Sequence, residues 1–132
     1  MAETIVCITE SDKKRIEQLM LFCDIFREQE RKSIRRLHFY AAQGRVVGAG
    51  EMPEDVAAPR SHVVLQETAT GREFGVTPVF PEEADAHLNP VSLLTPMGAA
   101  LMGRKVGETI EERTAAGIRT LTIKSVSRPL RS

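Results

Sequence analysis

Three acids, Asp24, Glu28 and Glu30, interrupt a stretch otherwise rich in helix-forming residues, and they are the first candidates for chemistry. Two carboxylates that converge on one point can hold a divalent cation and let it activate a water. Asp24 and Glu28 stand at i,i+4, a spacing that brings two side chains together if the segment is helical. The plainer alternative is a solvated helix end, with Glu28 facing Lys32 at i,i+4. Just downstream, Arg31, Lys32, Arg35 and Arg36 form two i,i+4 basic rows. Such rows can meet RNA or an acidic protein rim, or simply be the solvated face beside an apolar stripe. No aromatic interleaving turns them into a base-stacking platform.

The other reactive side chains do not assemble into a centre. His38, His62 and His87 are far apart and show neither HxxxH nor Cys/His spacing, which speaks against zinc. Cys7 and Cys23 are too distant for a CxxC and too few for a disulfide framework. Cys23 falls on an apolar helical face and reads as a small buried hydrophobe. There is no P-loop, GxSxG or GxGxxG pattern, and no serine can be joined to a histidine and an acid as a triad. Gly98, Gly103 and Gly107 resemble a phosphate loop only in content, because their spacing is that of a helix start, a helix stop and a turn. The expectation is no catalytic residue, no metal and no cofactor.

With 132 residues the chain is one domain of ordinary size with room for a small appendage. It can bury about two thirds of its unfolded surface, enough for a core without metals or disulfides. Lys+Arg and Asp+Glu are both 18, for a formal net charge of +0, so no global field draws it to nucleic acid or an anionic membrane. No basic-then-apolar leader and no bilayer-length apolar run are present, which points to a cytoplasmic, reduced setting.

Local rules set out the elements that must hold these groups. Residues 4–8 (TIVCI) are a short apolar run, a strand or an extended lead-in. Thr9 and Asp12 have capping-box spacing, with Asp in place of Glu/Gln, so a helix starts there. From there to Gln43 there is neither Gly nor Pro. Ile16, Leu19, Met20, Cys23 and Phe26 fall at helical spacing, and Ile34, Leu37 and Ala41 repeat it. The stretch can be one long helix or a hairpin of two. The hairpin is favoured because it lets the two stripes cover each other, with its bend between Cys23 and Glu30, capped by Asp24 or a neighbour.

Gly44, Gly48, Gly50, Pro53 and Pro59 mark residues 44–61 as a linker. Residues 62–66 alternate as a strand, Thr70-Gly71 turns, and residues 72–80 return as the second arm of a hairpin, in which Pro78 predicts an edge or a bulge. Residues 81–90 are a polar, acidic loop. Residues 91–110 (VSLLTPMGAALMGRKVGETI) are the organising stretch: a buried strand to Leu94, then Thr95 as helix N-cap and Pro96 at N1. Met97, Ala100 and Leu101 fall on one side of a short helix, Gly103 is its left-handed stop, and Thr109 opens a strand. Residues 109–114 and 118–126 pair across Ala115-Ala116-Gly117. Leu121 and Ile123 share a face, and Glu112 stands where an inward apolar residue is expected. Residues 128–132 read as a frayed tail. The sum is an α+β chain: a short antiparallel helical hairpin, then a twisted antiparallel sheet with one short helix.

The organising stretch also carries a resemblance. Ser92, Leu94, Pro96, Gly98, Ala100, Leu101, Gly103, Gly107, Glu108 and Ile110 follow the pattern of the C-terminal domain of the Gre-type transcript elongation factors (GreA/GreB). EMPEDV at 51–56 and VFPEEA at 79–84 resemble a Gre homologue, the bacterial regulator of nucleoside diphosphate kinase, more closely still. The resemblance implies an FKBP-like fold for residues 48–132, behind a short coiled-coil arm at residues 1–47. It implies RNA polymerase as the partner, nucleic acid only indirectly within the elongation complex, and neither membrane nor small-molecule substrate.

In Gre factors, acids at the coil tip enter the polymerase secondary channel, help hold a catalytic magnesium ion and activate the water that cleaves backtracked RNA. Asp24, Glu28 and Glu30 are the acids nearest the tip here. Reach argues against that activity, since a helix of about 16 residues spans only ~24 Å, and the Gre coil is markedly longer. The expectation is a non-enzymatic regulator that binds RNA polymerase at the secondary channel and modulates elongation without transcript cleavage. It would dock through the exposed side of residues 79–108, with Leu93, Met97 and Leu101 in the core.

Two other readings stay open: contact with nucleoside diphosphate kinase, as the homologue's name implies, and prolyl isomerisation, which an FKBP-like fold raises. Fold does not carry function. The chain has five Phe, one Tyr and no Trp, and Phe22, Phe26, Phe39 and Tyr40 lie in the helical arm. Ala115-Ala116-Gly117 departs from the family's Pro-Gly-Gly-like turn, and the arm matches neither Gre nor the homologue closely.

Overall fold

The computed structural model describes residues 6–128. Thr9 opens α1 (Glu10–Leu21), its hydroxyl accepting from the Asp12 amide at 3.2 Å. The chain then makes a single 3₁₀ turn (Cys23–Ile25), extends through Phe26 and Arg27, and enters α2 (Glu28–Gln43). This is the hairpin that the two apolar stripes predict. Asp24 does not cap the bend. Glu30 Oε1 accepts from the Arg27 amide at 3.1 Å and Arg31 Nη1 donates to Phe26 O at 2.5 Å, so the second helix closes its own entrance. Beneath the hairpin, β1 (Cys7–Ile8) and β2 (Arg45–Val46) pair in parallel and bring its two ends together. Residues 4 and 5 of the predicted lead-in and residues 129–132 of the predicted tail lie outside the described residues.

Five strands form the main sheet: β3 (His62–Glu67), β4 (Glu73–Val79), β5 (Pro90–Ser92), β6 (Thr109–Thr114) and β7 (Gly117–Ser127), in the order β5-β4-β3-β7-β6. Every pair is antiparallel except β4 with β5. A parallel neighbour needs a crossover, and the acidic segment supplies it, partly as a 3₁₀ helix (Pro81–Ala86). Pro78 does not mark an edge, since β4 lies between β3 and β5. Its pairing with β3 ends at Val63↔Val76, so the missing N–H of Pro78 meets no ladder acceptor, and its carbonyl accepts from the Arg60 amide at 2.7 Å. The irregularity sits instead in the β3–β7 pair, between Val64 and Leu65.

Between β5 and β6, α3 (Pro96–Leu101) has the predicted local chemistry. Thr95 Oγ1 accepts from the Gly98 amide at 3.2 Å, and Gly103 follows the helix at φ 80°. Gly98 is fixed by packing, because a Cβ there would lie 2.2 Å from the carbonyl oxygen of Ser92. Glu112 does not disrupt β6. It pairs across the strand with Arg119 at 2.6 Å, and that guanidinium also lies over the Phe74 ring at 5.1 Å.

The core is continuous. Ile16, Ile34, Leu37 and Tyr40 of the hairpin belong to the same buried cluster as Leu65, Phe80, Leu93, Leu101, Leu121 and Ile123. Residues 44–61, which read as a linker, are held down. Val56, Ala57 and Ala58 are buried, and Ala57 exchanges backbone hydrogen bonds with Gly103 and Arg104 at 2.9 and 2.8 Å. The apolar triplet has a place in the core to fill, and the Gly/Pro punctuation around it does not alter that. No helix among the described residues is long and apolar enough to cross a membrane.

Candidate functional site

The tip of the hairpin separates the acids that the sequence groups together. Asp24 is exposed in the 3₁₀ turn, Glu28 is exposed at the first position of α2, and Glu30 is half-buried and accepts from the Arg27 amide. Phe26 and Arg27 between them have ψ of 159° and 161°, so Asp24 and Glu28 do not share a helix face. The i,i+4 convergence is therefore broken. Among the described residues no group of three or more His, Cys, Asp or Glu side chains could hold a metal ion.

Beside the exposed acids the tip presents apolar side chains. Leu21, Phe22 and Ile25 are 76%, 59% and 80% exposed. Beside them, a cleft of about 430 Å³ lies between Phe22, Ile25 and Phe26 on one side and Phe80, Pro81 and Leu94 on the other. Exposed large hydrophobics gathered in one place mark interaction surfaces more often than catalytic ones. The sequence signal was there: LMLF before Cys23 is too wide an apolar run for one helical stripe. Cys23 itself lies in the 3₁₀ turn, half-buried against the core, and not on the helical face predicted for it.

The residue that sequence reasoning missed is Arg60. Its Nη2 donates to both oxygens of Asp12 at 2.8 Å, and its Nη1 donates to both oxygens of Glu83 at 3.2 Å. Asp12 is 3% exposed, so the reciprocal capping role suggested by its spacing is replaced by a buried ion pair. Burial pulls the Arg60 guanidinium down, but hydrogen bonds and charge from Asp12 and Glu83 outweigh it and hold the group above its ordinary range. Arg15 of α1 adds to the network. It pairs with Glu82, stands 3.6 Å from Glu83, and lies over the Phe80 ring at 4.2 Å. The VFPEEA segment thus anchors the hairpin to the sheet. Arg60 adopts φ 74°, a left-handed conformation that disfavours side chains other than glycine. A single arginine in a Pro/Ser-flanked turn gives no periodicity by which to find it.

The basic rows of α2 divide. Arg31 is engaged with the turn, and Arg35 is exposed. Lys32 and Arg36 face a groove of about 680 Å³ whose other lining includes Pro96, Ala99, Glu111 and Arg113. His38 is half-buried on α2. His62 and His87 both line a cleft of about 320 Å³, with His62 Nδ1 3.1 Å from Thr77 Oγ1. Tyr40 donates to Cys7 O at 3.1 Å inside the core. Burial first, and then the charge of Asp12, raise its hydroxyl well above its ordinary value. Of the residues expected in the core, Leu93 and Leu101 are fully buried and Met97 packs partly buried against them.

The family described as transcription elongation factor GreA/GreB, C-terminal, matches residues 52–128. The transcription elongation factor GreA of Syntrophobacter fumaroxidans is 35% identical over 66 residues, covering 50% of this chain and 42% of that protein. The chain spans about half the length of the curated relatives it matches. Among solved structures, the prokaryotic transcription elongation factor GreA/GreB from Nitrosomonas europaea superposes with a TM-score of 0.77 at 27% identity, covering 95% of this chain and 99% of that one. Gfh1 of Thermus aquaticus, 22% identical with a TM-score of 0.51, shares the fold over 95% of this chain and 99% of its own. The glycine- and proline-marked stretch around α3 and the sheet that frames it lie inside the matched region, and on that match the chain belongs to the GreA/GreB family of transcription elongation factors.

Proposed function

We propose that this protein is a non-enzymatic regulator that binds RNA polymerase at the secondary channel and modulates elongation without stimulating transcript cleavage. Family membership supports polymerase as the partner. The observation that carries the second half is the tip: the acids are split by an extended break, and the most prominent groups are Leu21, Phe22 and Ile25. Magnesium-assisted hydrolysis needs carboxylates preorganised around one ion, and an apolar tip offers burial in its place. The hairpin is also short. α1 has 12 residues, which at 1.5 Å each is about 18 Å.

The test uses a backtracked elongation complex. The purified protein alone should release no short RNA, and it should lower the cleavage that an added Gre factor stimulates, in proportion to its occupancy of the shared site. Release of short RNA by the protein alone would overturn the reading. Binding to core polymerase that leaves Gre-stimulated cleavage untouched would remove the secondary channel as its location.

A further inference from the structure

A trough runs along the seam between α2 and α3. Its wider part, about 680 Å³, has Lys32 and Arg36 of α2 on one wall, Arg113 and Glu111 of β6 on the other, and Pro96 and Ala99 of α3 beneath. A second recess of about 460 Å³ shares Gln29 and Pro96 with the first and continues it to Glu28 and Glu30 at the start of α2. One end of the trough is thus basic, and at the other Glu28 and Glu30 outnumber the single cation Arg27.

The basic end is uncompensated. Among the described residues Lys32, Arg36 and Arg113 enter no ion pair within 4.0 Å, so three cations face the single carboxylate of Glu111. Like charges gathered in a concave site focus a potential that attracts the opposite sign and orients what arrives. Neither recess is lined by an aromatic side chain, so nucleic acid bases find no stacking surface. Pro96 and Ala99 instead give an apolar floor suited to the aliphatic stems of glutamate side chains.

We propose that this trough seats an acidic protein segment, with its carboxylates among Lys32, Arg36 and Arg113. Glu28 and Glu30 repel further acid at the far end, which fixes the direction in which the segment lies. The inference rests on the polymerase reading only for which protein supplies the segment.

The test is fluorescence anisotropy of a labelled oligo-glutamate peptide titrated with the full chain. The wild-type chain should bind it, more weakly as salt is added. Lys32→Glu with Arg36→Glu should weaken binding about tenfold or more, since two attractions become two repulsions. Arg113→Glu, on a different element, should act in the same direction, and Arg35→Glu, outside the trough, should change nothing. Thermal melts of each variant separate lost binding from lost folding. Absence of peptide binding, equal binding by the double variant, or tighter binding of an oligoribonucleotide of equal charge through the same residues would each overturn the proposal. Co-purification of the wild-type chain with core polymerase is scored separately. Failure there with peptide binding intact removes the polymerase reading, and failure of the peptide alone removes the trough.

Discussion

Replacing Arg60 is the sharpest test of how the hairpin is held. Arg60→Ala leaves the Asp12 carboxylate, 3% exposed, without its guanidinium, and also removes the fork from Glu83. Removing one partner of a buried pair costs about 3–5 kcal/mol, because the remaining charge is stranded. The Arg60 side chain is itself 30% exposed, and solvent screens part of that cost, so about 2–3 kcal/mol is expected here. Two further variants separate the causes. Arg60→Gly removes the same ion pairs but accepts φ 74° freely, so it should be about 1 kcal/mol more stable than Arg60→Ala. Adding Asp12→Asn to Arg60→Ala neutralises the stranded charge, and the double variant should be less destabilised than the sum of the singles by about 1–2 kcal/mol. Urea unfolding followed by circular dichroism reads all three. At a slope of about 1–3 kcal/mol/M, the Arg60→Ala midpoint falls by roughly 0.7–3 M. A midpoint shift equivalent to less than about 0.5 kcal/mol would show that the ion pairs are dispensable and that the apolar core alone sets the hairpin in place.

Three other outcomes follow from the geometry. Gly98→Ala puts a Cβ 2.2 Å from Ser92 O and 3.0 Å from Leu93 Cα, both backbone atoms that cannot rotate away; it should cost about 2–3 kcal/mol or more in the same urea assay. Tyr40→Phe should cost about 1 kcal/mol at neutral pH through the lost bond to Cys7 O. Because burial and Asp12 raise the Tyr40 hydroxyl in the folded state, its contribution is full below its ordinary 10.0 and is lost as pH rises beyond it. Melts taken from pH 7 upward should therefore show the wild-type advantage over Tyr40→Phe shrinking above pH 10. Leu21→Ser with Ile25→Ser, at positions 76% and 80% exposed, should leave stability within about 0.5 kcal/mol and weaken binding to core polymerase in a pull-down.

Much of this fold can be read from short-range chemistry. Thr95, Pro96 and Gly103 each do locally what their residue types favour, and α3 lies where they put it. The hairpin follows from two apolar stripes with no Gly or Pro between Thr9 and Gln43. Long-range partnership is what the sequence hides. Arg60 and Asp12 are 48 residues apart, and nothing in the neighbourhood of either marks the other as its partner. Glu112 looked misplaced because a strand pattern counts only its own residues, while its stabilising partner Arg119 sits across the turn on β7. The i,i+4 convergence of Asp24 and Glu28 does not form, for a related reason. Spacing of i,i+4 means proximity only inside a continuous helix, and Phe26 and Arg27 are extended. The basic rows could be placed from the sequence because they lie within α2, and the geometry of the acids could not, because they straddle the break.

The shared core decides how the tip can work. A hairpin on a free linker would sample many positions, and a partner that bound it would have to meet the entropy of fixing it. Here Ile16, Ile34, Leu37 and Tyr40 are packed into the cluster that holds the sheet together, and Arg60 pins α1 at Asp12. A partner docked on the surface around α3 would therefore meet Leu21, Phe22 and Ile25 already in position, with little further ordering left to do. A rigid apolar tip in that position can add affinity and block a passage. On the proposed reading it does not act through paired carboxylates, since Asp24 and Glu28 lie on different helical segments, separated by the extended residues Phe26 and Arg27. The proposed binding role therefore rests on how the hairpin is packed more than on its inventory of acids.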